Sequence, residues 1–537
     1  MPTRYSWFAT CLFGLFFAAQ SVLFPVVKAA EDTVKPQASK PNIVVILVDD
    51  MGWSDISCYG SEIPTPNIDR LAREGLRFSQ FYNTGRCCPT RASLLTGQYS
   101  HRAGVGHMTD DAGSDFPAYR GYLNRDCVTL AEVLKPAGYF TAATGKWHVG
   151  NSDLSMWPLQ RGFDRFYGVP EGGGFYFRVK QGRSIAKNNE KIYTSKQPPP
   201  AGWYTTDAWT ENGLEFVDEA LEKKQPFFLY VAHNAPHFPL QADPADIAKF
   251  RGRYQAGWDT LRAARHKRQL ASGLIPPDLE LSDRSDAVAA WESLTPDQQD
   301  RFDHLMAIYA AVMDRLDRSI GNLISGLEKR GVLENTLILF MSDNGGTAEG
   351  SPQGRLDGEN PGDADSNVFY GESWANLSNT PFRRFKRENH EGGISTPLLV
   401  RWPGNVADPG GVRHQVCHVI DIMTTLTEVA GAEYPKEWQG RPIAPPAGVS
   451  LLPAFDNKPL ANRPLFWEHE GNAAIREGDW KLVRLGAKSS WELYDLSKDR
   501  IEEHNLAKTH PARVNEMRDA WQQWAKSIGA IPKPKGK

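Results

Sequence analysis

Asn42-Ile-Val-Val-Ile-Leu-Val48, followed at once by Asp49-Asp50, is the stretch that decides the fold. Its unbroken aliphatic run, mostly β-branched and without alternation, describes a strand buried on both faces, as in a parallel sheet covered by helices. The aspartate pair then falls just past the strand's carboxyl end, where open α/β sheets place their ligands. Downstream the pattern recurs. Helical periodicity at 66–74 and 129–135 precedes a strand at 139–143, a helix at 206–222 precedes a strand at 226–232, and a long helix at 297–329 precedes a strand at 336–341. This alternation predicts an α/β fold with a large mixed, mostly parallel sheet flanked by helices. Lys146 and His148, His233, and Asp343 and Asn344 come after three of those strands, so they are expected to converge with Asp49 and Asp50 at one sheet edge.

Beyond about residue 441 the texture changes. Short segments at 464–468, 473–476, 480–485 and 491–495, separated by glycine and polar turns, predict an antiparallel sheet, and 511–527 predicts a closing amphipathic helix. The expected organisation is a main domain at 41–440 and a smaller C-terminal antiparallel-sheet-plus-helix (α+β) subdomain at 441–537. The charged stretch 241–295 reads as a helical insertion that overhangs the site or decorates the surface. No internal repeat is present.

With 537 residues the chain exceeds what one core usually serves. Lys and Arg number 61 against 64 Asp and Glu, a net charge of −3 without any basic run, which argues against a nucleic-acid partner. At the N-terminus Arg4 precedes an apolar run from Trp7 to Val27, and Val27-Lys28-Ala29 has small residues where a signal peptidase reads. Residues 1–29 are therefore expected to be a signal peptide and 30–40 a linker, for an exported protein, periplasmic or extracellular, with no stable membrane span after cleavage. The length of the run leaves a membrane anchor as the competing reading.

Cys87-Cys-Pro-Thr-Arg91-Ala-Ser-Leu-Leu-Thr-Gly97 has the makings of a helix start: Pro89 suits the first turn, where its missing N–H costs nothing. Either a surface arginine or a disulfide cysteine would be unremarkable there alone. The spacing Cys87-x-Pro89-x-Arg91, followed by Leu94-Leu95-Thr96-Gly97, resembles the signature of the formylglycine-dependent sulfatases, with Thr90 where many members carry serine. The resemblance implies an alkaline phosphatase-like fold. It also implies that Cys87 is converted by a formylglycine-generating maturation enzyme to 3-oxoalanine (Cα-formylglycine), whose hydrate is the nucleophile toward a sulfate ester.

Asp49, Asp50, Asp343 and Asn344 offer only oxygen ligands, which suits a hard cation and argues against zinc. Each group alone would more often be a strand end or a turn. Together they match the family's metal ligands, and by resemblance the ion is Ca2+ rather than Mg2+, with residue 87 as a further ligand. Gly145-Lys146-Trp147-His148 resembles a family segment in which Lys146 would hold sulfate and the formylglycine oxygen, and His148 would take a proton as the aldehyde re-forms. His233-Asn-Ala-Pro-His237 resembles another, in which His233 binds sulfate and protonates the leaving oxygen; His237 is substrate-proximal at best, since Pro236 breaks any helical pairing of the two histidines. Lys386, five residues before Glu391-Gly392-Gly393, stands where sulfatases carry a sulfate-binding lysine, although Arg383, Arg384 and Arg387 allow a plain basic patch.

In the mechanism so implied, one hydroxyl of the hydrate attacks sulfur and expels the alcohol, and the second collapses to the aldehyde and expels sulfate. Arg91, Lys146, His233 and Lys386 would stabilise the transferred charge. One departure stands out: after Gly168-Val169-Pro170, where some sulfatases place a serine that contacts the modified residue, this chain has Gly172-Gly173-Gly174, suggesting an altered or more mobile wall. Six cysteines are present, of which Cys11 leaves with the leader. Among Cys58, Cys88, Cys127 and Cys417 a Cys88–Cys127 bridge is favoured, because it would pin the nucleophile turn. The alternatives are a phosphodiesterase or phosphonate monoester hydrolase of the same superfamily, and a silent sulfated-glycan binder.

Overall fold

The computed structural model describes residues 40–534, which belong to one compact unit. The leader expected at 1–29 and nearly all of the linker lie outside them. The main sheet and a short two-stranded sheet are built from β1 (Asn42–Val48), β2 (Leu76–Tyr82), β3 (Phe140–Lys146), β4 (Arg165–Val169), β5 (Ser184–Lys187), β6 (Glu190–Thr194), β7 (Phe227–Ala232), β8 (Thr336–Ser342), β9 (Arg355–Asp357), β10 (Asn367–Phe369), β11 (Ser395–Arg401), β12 (Val412–Arg413) and β13 (Cys417–His418). The main sheet has the order β12-β2-β11-β8-β1-β7-β3-β4-β5-β6, with β13 also on β2, and β9 pairs with β10. Its centre, β8-β1-β7-β3-β4, is parallel, and β11 runs antiparallel to both β8 and β2.

Every residue of β1 is buried. Val44, Ile46 and Val48 face one core, with the helix Pro296–Lys329 and α4 (Thr205–Glu222, following α1 at Pro66–Arg73, α2 at Cys87–Thr96 and α3 at Leu130–Leu134), while Ile43, Val45 and Leu47 face another, with α2 and α3. Two covered faces are what the uninterrupted apolar run requires. The register aligns Val48 with Ser342, and Leu47 and Gly145 with Ala232, so the carboxyl ends of β8, β1, β7 and β3 open side by side. Gly145 makes this closeness possible: a Cβ there would lie 1.9 Å from the Ala232 carbonyl oxygen.

The insertion at 241–295 forms the helices Pro244–Ala248 and Gly257–Ala271 and packs against the segment just after β1. Its buried Arg265 donates to Asp55 at 2.9 Å and to both oxygens of Glu62 at 2.8 Å. The C-terminal part holds a four-stranded antiparallel sheet, Leu465–His469, Asn472–Glu477, Trp480–Arg484 and Glu492–Asp495 in sequence order, backed by the helix Pro511–Ser527. A fully buried ion cluster joins it to the main sheet. Glu391 accepts from Lys481 and Arg500, each at 2.9 Å, and from Tyr82 of β2 at 2.8 Å, while Lys481 also meets Glu502 at 2.8 Å. Among the described residues no helix is long and apolar enough to cross a membrane.

Candidate active site

Asp49, Asp343 and His233 come directly after the central strands, and backbone bonds lock them in place: the N–H of Asp343 donates to Val48 O at 3.0 Å, that of His233 to Leu47 O at 2.8 Å, and that of Asp49 to Ala235 O at 3.0 Å. β3 runs three residues further than its apolar pattern suggests, so Lys146 is its last residue. Asp50 and His148 adopt left-handed backbone conformations, φ 69° and 59°, which non-glycine residues rarely hold without compensation. Both aim their side chains inward. Cys87 opens α2, whose residues are all buried, and Thr90 steadies the turn before it through Thr84 N at 3.1 Å and the Thr84 hydroxyl at 2.8 Å.

The ten expected site residues lie in this one buried region. Lys146 Nζ donates to Asp49 Oδ2 at 2.6 Å, Lys386 Nζ contacts both Asp50 oxygens at 2.8 and 2.9 Å, and Asn344 Nδ2 donates to Asp50 Oδ1 at 2.9 Å. Arg91 is spent internally: Nε and Nη2 donate to Asp343 Oδ2 at 3.0 and 2.7 Å, and Nη1 donates to the Lys146 carbonyl at 2.8 Å. Its bonds tie the Asp343 carboxylate to the Lys146 backbone. Lys386 stands apart from the competing basic patch, since it alone among residues 383, 384, 386 and 387 is buried.

Electrostatics follow from this crowding. Burial raises the Asp49 carboxyl, but Lys146, His237 and Arg91 together hold it below the usual range. Burial and the charge on Asp49 push Asp343 well up. A hydrogen bond from Cys88, aided by Lys146 and His148, holds the Cys87 thiol well down against burial. Burial lowers His148 to about 4, with Lys146 adding to it, and lowers His233 to about 3. Both rings are thus neutral near pH 7 without a bound anion.

The donor set fits a hard divalent cation. Asp49 Oδ1 and Asn344 Oδ1 are buried and have no hydrogen-bond partner, while Lys146 and Lys386 pair with the Asp49 and Asp50 carboxylates. Oxygen donors dominate, as such an ion requires. Both ring nitrogens of His233 are likewise buried and unpartnered, ready for a ligand.

Three placements emerge only from the fold, two of them at residues the sequence singles out. His237 turns back so that Nε2 lies 3.6 Å from Asp50 Oδ2, closer to the carboxylates than a substrate-proximal residue would need to be. Glu349 stands 3.7 Å from Lys386 and 3.1 Å from Arg86. The triple glycine is a packing device: a Cβ at Gly172, where φ is 76°, would sit 2.4 Å from the His148 ring, and one at Gly174 would lie 2.8 Å from His237 Nδ1. The wall is therefore close-packed against both histidines rather than loose. The Cys88–Cys127 bridge does not form; the five described cysteines are free, with Cys88 turned toward Cys87 and His148, and Cys127 donating to Asn124 O at 3.7 Å.

Comparison with known proteins gives the family and the fold. A sulfatase family model matches residues 41–432, and a model of the N-sulphoglucosamine sulphohydrolase C-terminal region matches residues 383–526. An uncharacterised sulfatase of Schizosaccharomyces pombe is 36% identical, covering 93% of this chain and 96% of its own length. An arylsulfatase of Klebsiella aerogenes is 35% identical over 77% and 92%, and the N-acetylgalactosamine-6-sulfatase of Rattus norvegicus 29% identical over 91% and 80%. Among solved structures, Ps i-CgsB in complex with k-i-k-neocarrahexaose superposes with a TM-score of 0.67 at 27% identity, covering 92% and 98% of the two chains. The phosphonate monoester hydrolase of Agrobacterium radiobacter, at 19% identity and TM-score 0.58 over 91% and 96%, shares the fold alone. The chain belongs to the sulfatase family, and it is a sulfuric ester hydrolase of alkaline phosphatase-like fold.

Proposed function

We propose that the chain hydrolyses an aryl or carbohydrate sulfate ester through residue 87, matured from cysteine to formylglycine, beside a calcium ion held by Asp49, Asp50, Asp343, Asn344 and residue 87. The observation that carries this reading is the pair of buried, unpartnered oxygens, Asp49 Oδ1 and Asn344 Oδ1, in a cluster whose charges include Cys87. When bound, the cation supplies positive charge beside the reacting oxygens, and the hydrated aldehyde supplies the nucleophilic hydroxyl. Lys146, paired with Asp49, and Lys386, paired with Asp50, orient the sulfate oxygens. His148, neutral and with Nδ1 unpartnered, accepts a proton at a ring nitrogen. His233 binds sulfate and holds the proton for the leaving oxygen; an incoming anion raises its affinity for that proton. Arg91 keeps Asp343 in place.

A cavity of about 470 Å³, bordered by Lys386, Glu349, Arg387, Glu470 and Asn472, gives the leaving group room, and its polar wall suits hydroxyl groups. The rat relative, named for N-acetylgalactosamine 6-sulfate chemistry, supports a sulfated sugar. Export and processing by a formylglycine-generating enzyme complete the proposal. Mass spectrometry of the Cys87 peptide, with turnover of an aryl sulfate set against an aryl phosphate diester, tests it. Thiol-to-aldehyde mass loss, preference for the sulfate and inactivity of Cys87→Ala are expected; an active protein with unmodified Cys87, or strong preference for the diester, overturns it.

A further inference from the structure

Cys88 has no part in the hydrolytic scheme, yet it is completely buried next to the nucleophile position. Its sulfur, the sulfur of Cys87 and a ring nitrogen of His148 all lie within 4.8 Å of one another. His148 Nδ1 is buried without a hydrogen-bond partner, and its ring is fixed from behind by Gly172. We infer that, while residue 87 is still cysteine, Cys87, Cys88 and His148 form a binding site for a borderline-soft transition metal, with zinc the fitting ion.

Two thiolates and an imidazole form a typical zinc donor set, and a fourth position left to water is what three protein ligands imply. Zinc–sulfur bonds of about 2.3 Å and zinc–nitrogen bonds of about 2.0 Å at tetrahedral angles place the sulfurs about 3.8 Å apart, and sulfur and nitrogen about 3.5 Å apart. The three atoms therefore need to draw together by no more than about 1.3 Å, within reach of small side-chain rotations. Each thiol gives up its proton to solvent as its metal–sulfur bond forms. Residue 87 thus belongs to two sites in turn: as a thiolate to the soft one, and after the conversion proposed above, which replaces sulfur by oxygen, to the hard one. Conversion leaves only Cys88 and His148 for zinc.

The test uses the full chain produced without a maturation enzyme, so that Cys87 is retained, and stripped of metal. Titration with Co2+ is expected to give one equivalent bound, with a near-ultraviolet sulfur-to-cobalt charge-transfer band that Zn2+ displaces and a tenfold excess of Ca2+ does not. Cys88→Ala is expected to weaken zinc at least tenfold and to reduce the band, and Cys88→Ser, which keeps size and hydrogen bonding, is expected to do the same with an unchanged near-ultraviolet circular dichroism spectrum. Absence of the band in the parent, or zinc affinity in Cys88→Ser equal to the parent's, overturns the site. The band in converted protein, with conversion checked by mass spectrometry, is expected to be reduced as in Cys88→Ala, and a band of full intensity there overturns the role of Cys87. An unmodified Cys87 peptide after co-expression with the maturation enzyme would count against the formylglycine reading while leaving the zinc result standing.

Discussion

Glu391→Gln removes one charge from the buried cluster that joins the main sheet to the C-terminal sheet, and its cost can be worked from the structure. The Glu391 carboxyl is held down to about 2, against an ordinary 4.5, because Lys481, Arg500 and Arg476 outweigh the burial that would raise it. A depression of that size corresponds to roughly 3 kcal/mol of differential interaction. Cutting one partner out of a buried ion pair costs about 3–5 kcal/mol, in agreement. Lys481 keeps Glu502, which places the expectation at the lower end. With an unfolding entropy of about 2.1 cal/mol/K per residue, a chain of this length unfolds with about 1 kcal/mol/K, so the variant should melt roughly 3 °C lower at pH 7 in calorimetry. Because the folded-state value is depressed, the contribution is fully present above the unfolded value of 4.5 and is lost as pH falls toward 2. The gap between parent and variant should therefore shrink to less than half by about pH 3. A shift below about 1 °C at pH 7, or a gap that does not narrow with acid, refutes the reasoning.

Stripping divalent ions with a chelator should abolish hydrolysis of an aryl sulfate, and calcium should restore it at lower concentration than magnesium; equal activity in the metal-free protein would contradict the oxygen-ligand assignment. Gly172→Ala places a methyl group 2.4 Å from the His148 ring at a backbone φ of 76°, and kcat should fall at least tenfold while the circular dichroism spectrum is kept. Arg91→Lys cannot reproduce the bonds to Asp343 and the Lys146 carbonyl, and should lower stability by about 2–4 kcal/mol in a urea titration together with a loss of turnover. Lys386→Met should lower kcat/KM by about two orders of magnitude, as removal of one charge-stabilising donor does elsewhere, with Lys386→Arg recovering part of it.

Strand β1 was legible because six aliphatic residues in a row admit few other environments, and the helix Pro296–Lys329 because its helical pattern runs for more than thirty residues. The residues after the strands were legible for the same reason: once β1, β7 and β8 are parallel neighbours, the side chains just past their carboxyl ends must meet. Seven strands of the main sheet escaped, β2, β4, β5, β6, β11, β12 and β13, and two of them show why. β2 is interrupted by Arg77, Ser79 and Gln80, and β11 carries Pro397, where its pairing with β2 slips between Thr396 and Leu398. His237, Glu349 and the function of Gly172 depend on loops folding back over long sequence distances, for which no periodic pattern exists. The cysteine pairing failed on the same ground, since only three-dimensional placement shows Cys88 facing Cys87.

The site rests on two kinds of support. Asp49, His233 and Asp343 extend three adjacent central strands whose residues are all buried, whereas Lys386 and Glu349 hang from the long excursion between β8 and β11, tied down by contacts such as the Lys386 N–H to Gly346 O at 3.1 Å and by the Glu391 cluster beyond it. Amide hydrogen exchange should see this division: the amides of Asp49 and Asp343 open only with global unfolding, and those around Lys386 through a smaller, local event. An exchange profile of that kind would leave the carboxylate side formed while the segment around Lys386 opens locally, giving a sulfate ester its way in.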